Sequence, residues 1–391
     1  MMNVTGIRNL QINEAVLKAH VIVPENITNA SSGKIDLNVA PVLVKRTRVR
    51  VKAWHLDPKA FCTTLHAALK STVTGYVMQL QQHGKLIETL QWNWAKTPVD
   101  GSIGWTPQVV MHVASLSKMI TAIAMTKALD TKGISYDASI APYLPAYWAK
   151  GPNIGSVTFR QLMTHTSGFT SGGADFLSVK AQVAAGVPLV KPAQYENSNF
   201  SILRVLLPVV HGDVAASTNF PLLNDQLWDS VTISSYQSFV ITNIFTPTGS
   251  TGTLTHGVGY ALAYNSPATG PGWNSGDTSS ISGAAGWHFS VANLLKIMGS
   301  FRRGNTIFTP AHAQQMLDNM FGIDWKLPRA GDGAFSYSKN GLWHKGAQTE
   351  QGVAMYLPED MELVVFVNSP INATQSFLET VVLNAYNANI K

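Results

Sequence analysis

The run Met119-Ile120-Thr121-Ala122-Ile123-Ala124-Met125-Thr126-Lys127-Ala128-Leu129 holds a single charge, and a helix so apolar must lie inside the protein with other elements packed around it. Lys132-Gly133 closes it, because glycine readily takes the left-handed conformation that ends helices. Immediately before it stands Ser115-Leu116-Ser117-Lys118. If Ser115 opens this helix, its hydroxyl sits at the positive end of the helix dipole, and Lys118, three residues on, lies one turn away on the same face. The amine can then reach the hydroxyl, as a serine nucleophile requires. To take the proton Lys118 must be partly neutral, and burial at a water-poor helix start lowers a lysine pKa in that direction.

The four-residue pattern is short, and the chain repeats it at Ser31-Ser32-Gly33-Lys34 and Ser336-Tyr337-Ser338-Lys339. Glycine among Asn and Ser makes the first a loop, and Lys339-Asn340-Gly341 reads as a turn. Ser115 alone leads into a long buried helix. By position alone it could equally serve only to cap that helix.

Around this helix the element pattern predicts an α+β fold. Asp57-Pro58 supplies an N-cap and a first-turn proline for a helix with Phe61, Leu65 and Leu69 on one face. Residues 74–81 and 86–92 have strand character, and His83-Gly84-Lys85 between them signals a hairpin. Helical patterns at 160–163, 201–207 and 234–244 fill the middle. Near the end, 353–356 and 362–368 are apolar, β-branched runs joined by Pro358-Glu359-Asp360, and 375–386 reads as a closing helix. Strands at both ends of a helical middle predict an antiparallel sheet flanked by helices, built from 55–130 and 285–391. An inserted, mainly helical domain is expected at 131–284 and an N-terminal extension at 1–54.

Composition narrows the function. With 45% hydrophobic and 13% charged residues over 391 positions, the chain can bury a large core. Residues 1–52 hold eight Lys/Arg against three Asp/Glu and so carry +5 of the formal +6. The remainder is nearly neutral, which speaks against a nucleic-acid partner. Lys45-Arg46-Thr47-Arg48-Val49-Arg50-Val51-Lys52 alternates basic and apolar residues and reads as a strand with one solvated face. No run of eighteen apolar residues and no charged start followed by an apolar stretch occurs, so neither a membrane span nor a secretory leader is expected, and a cytoplasmic protein is. The single cysteine, Cys62, rules out an internal disulfide and reads as a small buried hydrophobe. No H-E-x-x-H and no G-x-S-x-G is present, so neither a metal nor a cofactor is implied, nor an α/β-hydrolase elbow.

Two further stretches give Ser115 its context. Tyr195-Glu196-Asn197 is a Y-x-N, and His344-Lys345-Gly346 directly precedes a strand-like run; the first members are separated by 80 and 149 residues. In this order the three resemble the motifs of class C β-lactamases, D-alanyl-D-alanine peptidases and the related carboxylesterases. Leu162-Met163-Thr164-His165-Thr166-Ser167-Gly168-Phe169 and Tyr195-Glu196-Asn197-Ser198-Asn199-Phe200 are similar to segments of the same enzymes, as are Ile244-Phe245-Thr246-Pro247-Thr248-Gly249 and Gly283-Ala284-Ala285-Gly286-Trp287. The resemblance covers roughly residues 55 to 391.

It implies a β-lactamase/transpeptidase-like fold with Ser115 as acyl acceptor, Lys118 as base or as the charge that tunes its neighbours, and Tyr195 as the shuttle that protonates the leaving group. Asn197 would bond the substrate amide or Lys118. The N–H of Ala347, presented by the strand after Gly346, would join that of Ser115 in an oxyanion hole. Lys339-Asn340-Gly341 is a rival third motif; His344 is preferred because it directly precedes the apolar strand pair. His165 is expected to satisfy backbone groups rather than to act on substrate.

Departures from the family bear on substrate. A lysine usually opens the third motif in β-lactamases, whereas His344 is mostly neutral at pH 7. Glu196 is bulkier and more acidic than the usual small residue, and disfavours anionic substrates if it points into the cleft. The expectation is a serine hydrolase of a small ester, amide or short peptide, acting through an acyl-serine in the manner of a carboxylesterase or peptidase. A β-lactamase or D-stereospecific peptidase, an acyltransferase or cyclase using the same acyl-serine, and a non-catalytic binding protein are the alternatives. The oligomeric state is not legible.

Overall fold

The computed structural model describes residues 54–170, 172–329, 331–371 and 377–391; the readings at Ser31-Ser32-Gly33-Lys34 and at 45–52 lie outside the described residues. Helix α1 (Pro58–Leu69) starts as its sequence demands: the Asp57 carboxylate accepts the Ala60 N–H at 3.0 Å, and Phe61, Cys62, Leu65 and Leu69 are buried. Burial pushes the Cys62 thiol up to about 12, with Glu88 adding to the effect, so it is an inert core group. The first hairpin, β1 (Gly75–Gln82) with β2 (Lys85–Lys96), turns at His83 and Gly84, both at positive φ. The last, β8 (Gln348–Leu357) with β9 (Met361–Val367), turns at Glu359 and Asp360, also at positive φ.

These strands join β3 (Ile103–Gly104), β6 (Trp325–Pro328) and β7 (Phe335–Lys345) in one antiparallel sheet of order β3-β2-β1-β9-β8-β7-β6, while β4 (Met111–His112) and β5 (His288–Phe289) pair with each other. Both faces are covered, which explains why β8 and β9 read as unbroken apolar runs. Val353, Met355, Leu357, Leu363, Val365 and Val367 pack with α1 and the closing helix α9 (Leu378–Ala388). Ala354, Tyr356, Val364 and Phe366, on the other face, belong to a second core. That core is built on α2 (Ser117–Lys132), in which twelve residues are buried and which ends on Gly133 at φ 64°. Around it lie α3 (Phe159–Met163), α4 (Phe176–Ala185), α5 (Asn197–His211), α6 (Asn224–Val240), α7 (Val291–Arg303) and α8 (Pro310–Asp318). Among the described residues no helix is long and apolar enough to cross a membrane.

One expectation fails here. Lys339-Asn340-Gly341 is not a turn but the middle of β7, and the chain reverses instead at Gly346, φ 61°. The turn preference of Asn-Gly is overridden by tertiary contacts. The Asn340 N–H donates to Asp324 Oδ2 at 3.1 Å and its side-chain amide to Glu379 Oε2 at 3.0 Å. Gly341 pairs across the sheet with Gly352. A Cβ on Gly341 would lie 2.2 Å from the Val113 carbonyl oxygen, and one on Gly352 2.8 Å from Leu116 Cδ1. The two glycines form a notch in the sheet that receives residues 113–116.

Candidate active site

Ser115 sits in that notch, in a single 3-10 turn (Ala114–Leu116) leading directly into α2. Ala114 holds φ 47°, a conformation an alanine adopts only where its surroundings fix it. They do: Val113 N–H bonds to Trp287 O at 3.0 Å, and Ser117 Oγ accepts the Trp287 N–H at 3.0 Å. His112, just upstream, is fully buried, with Nε2 2.5 Å from Ala285 O and Nδ1 3.1 Å from Glu350 Oε2 on β8. The turn is pinned from both the sheet and the 284–288 segment.

From the first turn of α2, Lys118 reaches back to Ser115. Its Nζ lies 2.9 Å from Ser115 Oγ, 2.7 Å from Asn197 Oδ1 and 3.0 Å from Ala284 O, and the residue is 0% exposed. Burial holds its pKa below the ordinary lysine value; Tyr195 opposes this and Lys339 adds to it. A neutral Lys118 can turn its lone pair to the Ser115 hydroxyl.

Tyr195 precedes α5, with Asn197 as the first residue of that helix. Its ring stacks on His165 at 4.3 Å and 28°, while Lys118 Nζ and Lys339 Nζ each lie 5.0 Å from the ring centre. Lys339 Nζ is 3.3 Å from the phenol oxygen. Burial tends to raise the phenol pKa, but the charges of Lys339 and Lys118 outweigh it and the net shift is downward. Here a phenol stands between two ammonium groups, so it can carry a proton to or from Ser115 at lower pH than a free tyrosine. His165 behaves as a support: its Nδ1 accepts the Glu196 N–H at 3.1 Å, and burial plus the two lysines drive its pKa down to about 3. A neutral ring is what a Tyr195 flanked by cations tolerates.

A beta-lactamase family model matches residues 64–385. The chain belongs to the beta-lactamase family. Over 89 residues it is 32% identical to the human mitochondrial serine beta-lactamase-like protein LACTB, a match spanning 22% of this chain and 16% of LACTB. In fold it is similar to FmtA from Staphylococcus aureus, with TM-score 0.64 and 17% identity over 85% of this chain and 88% of that one. It is also similar to a D-stereospecific amidohydrolase from Streptomyces, with TM-score 0.59 and 20% identity over 84% and 98% of the two chains.

Within this beta-lactamase-family chain, Ser115, Lys118, Tyr195 and Asn197 come together, while His344, Gly346 and Ala347 stand apart from them. His344, Gly346 and Ala347 are exposed at the tip of the β7–β8 hairpin, and His344 Nδ1 bonds to Thr349 Oγ1 at 2.9 Å. Five residues of strand, roughly 17 Å, separate His344 from Lys339, and odd and even positions face opposite sides. Tyr337, Lys339, Gly341 and Trp343 share the Ser115 side, and Ser338 and Asn340 bond to Glu379 of α9 on the other. The rival motif is therefore the one beside Tyr195. Since the Asn340 N–H leaves the sheet edge toward Asp324, the Leu342 N–H two residues on points the same way, next to the Ser115 turn that abuts Gly341. Asp324 escaped the sequence reading altogether. The two facing glycines in apolar strands were the signal that could have found this stretch of β7.

Proposed function

We propose that this protein is a serine acyl hydrolase that cleaves a small ester or amide through an acyl-Ser115 intermediate. The observation that carries the reading is Lys118 Nζ, buried, depressed in pKa and 2.9 Å from Ser115 Oγ. Lys118 or the Tyr195 phenolate takes the Ser115 proton as Oγ attacks the carbonyl carbon. Tyr195, its pKa lowered by Lys339 and Lys118, holds that proton directly or receives it from Lys118 across their hydrogen bond, and passes it to the leaving group. The N–H groups of Ser115 and Leu342 hold the developing oxyanion, and Asn197 fixes Lys118. Water then repeats the sequence on the acyl-enzyme. The pairing of Lys339 with Asp324, developed below, favours esterase-like chemistry over β-lactam or C-terminal peptide cleavage.

Intact-mass measurement after incubation with 4-nitrophenyl butyrate tests this. The wild-type chain should gain one butyryl group or turn the ester over, and S115A should do neither, with kcat/KM at least about a thousandfold lower. Equal labelling of S115A would remove Ser115 from the chemistry.

A further inference from the structure

Two buried cations face Tyr195, and both are already engaged by acceptors of this chain. An ammonium has three donors. Those of Lys118 go to Ser115 Oγ, Asn197 Oδ1 and Ala284 O. Lys339, 1% exposed, gives one to Asp324 Oδ1 at 2.6 Å and one to the Tyr195 oxygen at 3.3 Å. Asp324 is itself held on both oxygens, since Oδ2 takes the Asn340 N–H at 3.1 Å, and its side chain is 11% exposed. Beside Tyr195, Glu196 adds a carboxylate whose Oε1 lies 2.7 Å from Gln194 Nε2.

A carboxylate on the substrate would thus meet a lysine already paired with Asp324. We propose that Asp324 is a specificity-determining residue: by occupying Lys339 it withholds the positive charge that an anionic substrate needs, and directs the cleft to esters or amides that are uncharged around the scissile bond. Asp324 acts through Lys339, so it is a positioning residue, and its role rests on the acyl-serine reading above.

The test compares wild type with D324N, which keeps the side-chain shape and an acceptor for the Asn340 N–H, at pH 6.5. The substrates are two matched pairs: phenyl butyrate against 3-carboxyphenyl butyrate, and 4-nitrophenyl butyrate against mono-4-nitrophenyl glutarate. Wild type should favour the neutral member of each pair by about tenfold or more in kcat/KM, and D324N should narrow at least one gap by about tenfold, through KM. D324E should restore it. Equal use of both members by wild type overturns the proposal, as does a folded, active D324N with both gaps unchanged. Benzoate binding by calorimetry decides the role of Asp324 apart from turnover: tighter binding to D324N supports it, and equal binding to both chains overturns it. Loss of every esterase activity in wild type would instead overturn the acyl-serine reading.

Discussion

A strand residue's role depends on which side of the pleat it occupies, and β7 makes the point. Lys339 and His344 lie five residues apart in one strand, each a basic residue near a glycine, yet they face opposite sides of the sheet. One is buried against Tyr195 and the other is exposed beyond the notch. We expect K339M to lower kcat/KM for neutral esters by about a hundredfold, because the phenol loses a flanking charge. H344A should leave it within about threefold, as an exposed substitution away from the cleft does. A hundredfold loss in H344A, with K339M unaffected, would return the third motif to residues 344–346.

Among the elements, the junction of β7, β8 and the 3-10 turn is the most sensitive. Gly341 and Gly352 let the turn carrying Ser115 lie against the sheet, and a methyl group on Gly341 would collide with backbone at 2.2 Å. Backbone cannot rotate aside as a side chain can. G341A should therefore lower stability by about 1–3 kcal/mol and, by pushing β7 from Ser115, reduce kcat/KM by at least about tenfold. Thermal melting and steady-state kinetics on the same preparation check both, and an active variant with wild-type melting would show that the notch is not needed. Element prediction succeeded where a signal was local: the Asp57-Pro58 start, the His83-Gly84 turn, the apolar run of α2. It missed α4, rich in small residues, and α7, although Val291, Leu294, Leu295, Met298 and Phe301 form a regular apolar stripe there.

Across the whole molecule, buried neutral histidines couple folding to pH. Burial first, then the rings of His112 and His256 at His288 and the two lysines at His165, hold His288 and His165 down to about 3. Between that value and the ordinary 6.5 the unfolded chain binds more protons than the folded one, so stability rises with pH. The contribution is complete above pH 6.5 and is lost as pH falls toward 3. Each group contributes up to about 1.4 kcal/mol per pH unit in that window. Glu350, raised by burial despite its bond to His112, works in the opposite sense. The urea midpoint should fall from pH 7 to pH 5, and H288Q should flatten the slope. A midpoint level over that range would contradict the neutral state of these rings.

The sequence by itself determined what depends on near neighbours: the buried helix after Ser115, the reach of Lys118 one turn back, the Tyr195-Asn197 pair at a helix start, and the two terminal hairpins. Periodicity and capping act over a few residues, so they can be read without the rest of the chain. Tertiary structure alone decided which of Lys339 and His344 meets Tyr195, and that Asp324 pairs with Lys339. The β7–β8 hairpin pairs neighbours in sequence, but which side of β7 meets Ser115 is set by the glycine notch, a contact between residues more than two hundred positions apart, as Gly341 and Val113 are. No local pattern carries that information.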